Sequence, residues 1–188
     1  MGFFDRFKRP AKPEALGVTP SEGVVLAPVS GEEIRLEDSS DPVFSCLALG
    51  KGCAIKPGAS VVYAPVSGTL TAAGAPNFHA IGITSDDGVE VLIHVGVDTV
   101  EMHGEGFEVF VEKDAHVRAG EPLLRFSAEK IRAAGHDDAV LMAITNTDDY
   151  SSVEPAELGE VSAGSPALIV RRKAPRLHRL LGGRAAVV

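Results

Sequence analysis

Two histidines, His79 and His94, stand in apolar, alternating segments, H-A-I-G-I-T and V-E-V-L-I-H-V-G-V-D, with the turn-forming run S-D-D-G between them. If Ser85 and Gly88 close a two-residue hairpin, paired residue numbers sum to 173 and His79 lies directly opposite His94. A turn centred on Asp87-Gly88 makes the sum 175, so that His94 faces Ile81 and His79 is diagonal on the same face. Either register predicts one paired imidazole site, since opposed residues have Cβ atoms about 4.5–5.5 Å apart. A single histidine on an apolar strand is ordinarily a satisfied core residue. Two in register need hydrogen-bond partners or a ligand between them, because an unsatisfied buried polar group costs about 1–3 kcal/mol. With an ordinary pKa of about 6.5, the pair can hold a neutral nucleophile beside a donor. General acid-base work, a metal site and phosphoryl acceptance by one ring nitrogen all fit.

The elements that must carry these rings are short strands. The chain has 188 residues, 45% of them hydrophobic and 5% aromatic, with 20 Gly, 12 Pro and no Trp. That length buries one substantial core, and the turn formers favour many strands over long helices. Strand-like alternation runs through 24–28, 32–37, 59–63, 68–73, 79–84, 89–95, 107–111, 122–126, 138–145 and 160–170. Two short helices are expected. In one, Asp41 is the N-cap, Pro42 the first residue and Gly50 the stop; the other is bracketed by Ser127 and Gly135. A-P-V-S-G occurs at 27–31 and again at 64–68, which suggests a duplicated strand-turn unit. Residues 111–124 resemble the hairpin of lipoyl and biotinyl carriers but lack their Met-Lys dipeptide, so the likeness supports the fold and not that function.

Charge is segregated. Between residues 14 and 170 there are eight Lys and Arg against 25 Asp and Glu, while both ends are basic. Such a body repels nucleic acid and suits a basic protein partner. Cys46 and Cys53 are too far apart for a C-x-x-C motif and read as buried or idle thiols in a reducing cytoplasm. Neither a secretory apolar stretch nor a run of about 18 apolar residues is present, so a soluble chain is expected. Residues 1–21 read as a tail and linker, 22–173 as the body, and 174–188 as a basic, disordered tail. His103, His116, His136 and His178 lie in polar, loop-like contexts and carry no role.

The words around the histidines are specific. H-V-G-V-D-T-V at 94–100, followed by H-G-E-G-F at 103–107, resembles the glucose-type enzyme IIA domain of the bacterial phosphoenolpyruvate-dependent sugar phosphotransferase system. The likeness continues through A-P-V-S-G at 27–31, D-P-V-F at 41–44, A-I-K-P at 54–57, A-P-V-S-G-T at 64–69, H-A-I-G-I at 79–83 and I-T-N-T-D at 144–148, covering residues 22–173 in order. It implies an all-β, antiparallel β-sandwich of barrel-sandwich type with short helical turns. It also implies that His94 is phosphorylated on Nε2 while His79 hydrogen-bonds the phosphoryl oxygens, which suits a transfer that depends on positioning and charge stabilisation. The family often carries Thr two residues before the first histidine. Asn77 stands there in this chain, with an amide that can still hydrogen-bond.

The resemblance further implies an apolar docking patch with an acidic rim. Val43, Phe44 and Leu47, with Leu49 beside them, fall on the apolar segment, and Asp41 and Asp98 on acidic positions. Expected partners are HPr, an enzyme IIB domain, and permeases or metabolic enzymes as regulatory targets. No cofactor is required beyond the covalent phosphoryl group. A zinc ion on His79 and His94 would need a partner's carboxylate to complete its shell. Phe3, Phe4 and Phe7 beside Arg6, Lys8 and Arg9 resemble the amphipathic tail that some members place on anionic membranes, so residues 1–9 are a candidate membrane contact for a cytoplasmic protein. A zinc hydrolase of the lysostaphin type would need both H-x-H and H-x-x-x-D elements, and H-x-H does not occur.

Overall fold

A computed structural model describes residues 11–175. The aromatic-basic segment 1–9, His178 and most of the basic C-terminal tail lie outside the described residues. Fourteen strands form: β1 (Val24–Leu26), β2 (Gly31–Arg35), β3 (Lys51–Pro57), β4 (Val61–Tyr63), β5 (Gly68–Ala72), β6 (Ala80–Ser85), β7 (Glu90–Val95), β8 (Phe107–Val109), β9 (His116–Val117), β10 (Pro122–Phe126), β11 (Val140–Ile144), β12 (Tyr150–Pro155), β13 (Gly159–Val161) and β14 (Pro166–Arg172). An eight-stranded antiparallel sheet runs β13-β2-β3-β11-β7-β6-β5-β9, accompanied by two three-stranded sheets, β1-β14-β12 and β4-β10-β8. Among the described residues the fold is therefore antiparallel β with few short helices and no closed barrel.

Each half of the chain repeats the same interlock. Leu26 N–H donates to the Pro65 carbonyl at 3.0 Å, and Tyr63 N–H donates to the Pro28 carbonyl at 2.7 Å. Gly164 N–H reaches Ala27 O while Gly120 N–H reaches Ala64 O, and the Ser30 and Ser67 hydroxyls accept from Ala163 and Ala119. The A-P-V-S-G pair is thus a structural duplication, and its partner phrases, V-R-A-G-E-P at 117–122 and V-S-A-G-S-P at 161–166, are a second repeat.

The large sheet buries both faces. One face packs with the small sheets around Ile55, Leu70, Ile93, Leu124, Met142 and Leu168. The other carries Ala54, Leu141 and Ala143 and is covered by Leu36 and Phe44 from the segment between β2 and β3. Double-sided burial explains why β3 escaped detection: G-C-A-I is buried at all four positions and shows no alternation. The short β9 and β12 were likewise missed, and the run read as one strand at 160–170 is two, β13 and β14, separated by a turn. The segment resembling a carrier hairpin is not one here, because β9 pairs with β5 whereas β10 pairs with β4 and β8.

Helix α1 (Pro42–Ser45) starts as expected, with the Asp41 carboxylate accepting from the N–H groups of Val43 and Phe44. Helix α2 (Ala128–Ala133) is capped by Ser127. Residues 11–21, a linker by composition, form no helix or strand but are held to the body: Leu16 N–H donates to Gly120 O at 2.8 Å and Arg125 to Ala11 O at 2.9 Å.

One core residue is out of character. Glu33 on β2 is 1% exposed and neither carboxyl oxygen has a hydrogen-bond partner. Burial pushes its pKa from 4.5 to about 7. Below pH 4.5 the carboxyl is neutral folded or unfolded; between 4.5 and 7 only the unfolded chain releases the proton, so stability falls as pH rises, to a deficit of about 3 kcal/mol above 7. Glu33→Met is therefore expected to gain on the parent by about 3 kcal/mol more at pH 8 than at pH 4 in urea denaturation. An equal gap at both pH values would contradict it.

Candidate functional site

The hairpin register differs from both expectations. Ala80 is opposite His94 and Ile81 opposite Ile93, so paired numbers sum to 174. The cause is a three-residue loop, Asp86-Asp87-Gly88, with Gly88 at φ +92° and Ser85 paired to Val89 by backbone and hydroxyl hydrogen bonds. His79 consequently lies just outside β6, in a turn closed by Ala80 N–H to Asn77 O at 3.0 Å, and its own carbonyl accepts from Val95 N–H at 2.9 Å. The rings still meet. Their centroids are 4.6 Å apart with planes at 69°.

His94 is on the face covered by α1, between Ala80 of β6 and Leu141 of β11. The Phe44 ring lies 5.6 Å from it, and Phe107 is 6.4 Å from His79. His94 Nδ1 is 2.7 Å from the Gly96 carbonyl oxygen. A carbonyl can only accept, so the proton is on Nδ1 and Nε2 retains its lone pair. Gly96 is able to turn its carbonyl back because φ is +77°, and a Cβ there would come within 2.4 Å of Thr99. The Thr99 hydroxyl donates to Val95 O at 2.5 Å, and Gly96 N–H donates to Ala139 O, so the turn is fixed from both sides.

Both imidazoles are held neutral. Burial, then the proximity of His94, pushes His79 down to about 4. Burial also lowers His94, opposed by the Gly96 hydrogen bond and the negative charges of Asp41 and Asp98. An uncharged nucleophilic nitrogen with a fixed tautomer can accept an electrophile at Nε2, while acidic neighbours favour the positive charge the ring then gains.

The remaining candidate residues surround this pair unevenly. Asp41 is buried as the cap of α1, Val43 is 49% exposed, and Phe44 is buried beneath it. Leu47, at φ +60°, and Leu49 pack on the second core. Asp98 is exposed at φ +56°, leading into a 3-10 turn (Thr99–Met102) that presents Val100 at 52% exposure. Asn77 is exposed and contributes its backbone carbonyl to the turn. Gly96, Thr99, Val100 and Phe107 were not singled out by residue type, although the first three lie inside the H-V-G-V-D-T-V phrase and the glycine invited a turn. Elsewhere His116 pairs with Asp86 at 2.9 Å and His136 faces Glu101 at 3.8 Å. Among the described residues no group of three or more His, Cys, Asp or Glu is gathered for a metal, and no helix is long and apolar enough to cross a membrane.

The antiparallel sheets thus bring two uncharged imidazoles together beside the Phe44 and Phe107 rings. Residues 23–150 match the family described as phosphoenolpyruvate-dependent sugar phosphotransferase system, EIIA 1, and the chain belongs to it. It is 38% identical over 145 residues to the PTS system glucose-specific EIIA component of Staphylococcus aureus (strain MRSA252), covering 77% of this chain and 87% of that protein. It is 42% identical over 141 residues to the PTS system beta-glucoside-specific EIIBCA component of Bacillus subtilis (strain 168), covering 75% of this chain but only 23% of that longer protein. The solved glucose permease IIA from Mycoplasma capricolum superposes with a TM-score of 0.69 at 36% identity, over 78% of this chain and 94% of that one.

Long-range nitrogen–proton spectra are expected to show His94 as the Nδ1–H tautomer at pH 7 and His79 uncharged until the pH approaches 4. A protonated His94 Nε2 in the resting protein would remove the basis for nucleophilic chemistry at that atom.

Proposed function

We propose that the chain is a phosphoryl carrier that takes a phosphoryl group from phospho-HPr on His94 and passes it to a cysteine of an enzyme IIB domain during sugar uptake, in the cytoplasm. The observation that carries this reading is the Nδ1–H bond to Gly96 O, which leaves Nε2 as the free nucleophile on a half-buried ring. The Nε2 lone pair attacks phosphorus in line, the phosphorus–nitrogen bond of the donor phosphohistidine breaks, and the donor ring keeps the electron pair. The His94 ring becomes cationic with Nδ1–H in place, stabilised by the Gly96 carbonyl and by Asp41 and Asp98. A neutral His79 carries one N–H with which to meet a phosphoryl oxygen. Attack by a cysteine thiolate then breaks the Nε2–phosphorus bond and restores the lone pair.

Val43 and Val100, both about half exposed in segments next to the paired rings, form the proposed apolar docking surface, with Asp41 and Asp98 as its acidic neighbours. A dianionic phosphoryl group beside that surface changes the cost of burying it. This favours a second, compatible role in phosphorylation-dependent binding to permeases or metabolic enzymes. The histidine pair supplies two nitrogen ligands, so zinc would join only where a partner adds a carboxylate.

Incubation with phosphoenolpyruvate, enzyme I and HPr is expected to give an acid-labile adduct on the parent chain and none on His94→Ala, with labelling of His79→Ala slowed about 10- to 100-fold. Normal labelling of His94→Ala would move the acceptor elsewhere.

A further inference from the structure

We infer that Phe78, seated on Gly104, is the positioning residue that holds His79 against His94; the inference rests on the phosphoryl-carrier reading only for its kinetic consequence. With the register at 174, the bond from Val95 N–H to the His79 carbonyl fixes the backbone of His79 opposite Val95, and its ring is placed by side-chain contacts. The turn that carries it is gripped from the loop following the 3-10 turn. A Cβ built on Gly104 would lie 2.5, 2.9 and 3.0 Å from Cδ2, Cε2 and Cγ of Phe78, so the aromatic ring rests directly on the glycine. Gly104 is at φ +86° and accepts Phe107 N–H at 3.1 Å, and Phe107 is the ring that flanks His79. One five-residue loop, 103–107, therefore meets the 77–79 turn twice, once through Phe78 and once through His79 itself. The loop is anchored in turn by Ser127 N–H to Gly106 O at 2.8 Å and by Glu105 N–H to Met102 O at 2.9 Å. Asn77, the residue that stands at the motif position, has its side chain in solvent and takes no part in this grip.

The test combines kinetics with the unphosphorylated protein. Phe78→Ala is expected to weaken the cross-relaxation between the His79 and His94 ring protons and to lower the maximal rate of transfer from phospho-HPr about 10-fold or more, with KM within about twofold. Phe78→Tyr restores both, and Gly104→Ala reproduces both losses in the parent but adds little in the Phe78→Ala background. Thermal midpoints within a few degrees of the parent exclude unfolding as the cause. Unchanged ring cross-relaxation in Phe78→Ala would overturn the inference, and so would a rise in KM alone, which marks Phe78 as a docking residue. If the parent takes no label while the cross-relaxation responds as expected, the carrier reading fails and the positioning role stands.

Discussion

Two reciprocal backbone hydrogen bonds, Leu26 to Pro65 and Tyr63 to Pro28, lock the halves of this chain together, and the remaining architecture depends on them. Proline has no N–H to satisfy, so each A-P-V-S-G phrase can present a carbonyl to the other half without leaving a donor orphaned in the interior. Ala27 and Ala64, 1% and 2% exposed, leave no room for larger side chains where the strands cross. From these crossings β2 and β5 depart toward opposite edges of the large sheet, and the central pair β7 and β11 is sandwiched between their hairpins.

That central placement sets the chemistry. A ring on β7 has ladder partners on both sides, so its backbone is immobile, and the only freedom left is rotation of the imidazole. The Gly96 carbonyl removes that freedom as well. Burial lowers the basicity of both rings while carboxylates nearby resist the change for His94 alone. The two histidines, identical as residue types, are thereby made unequal by surroundings that differ in one backbone carbonyl and two acidic side chains.

Local signals were legible where one residue type has one physical use. Asp41-Pro42 announced the start of α1, and Ser127 that of α2, because capping chemistry is short-range. The histidine pair could be seen from spacing, whereas its register could not: S-D-D-G fits two- and three-residue loops alike, and Ser85 chose the longer through a hydroxyl bond to Val89 N–H at 2.7 Å. β3 was hidden because burial on both faces erases the alternation by which strands are recognised. Phe78 gave no sign of its seat, since the close approach of a ring to Gly104 is a tertiary fact without a local pattern.

The duplication has one more implication. Reading the large sheet from its two ends, β13-β2-β3-β11 matches β9-β5-β6-β7, and the registers map His94 onto Ala143 and His79 onto Lys51. The scaffold thus offers two equivalent stations on one face, and only one is furnished. Its twin holds Ala143, in the cluster against which Leu47 and Leu49 pack, and the exposed Lys51. The equivalence of the two stations ends at their side chains: one carries two imidazoles, the other an alanine and a lysine.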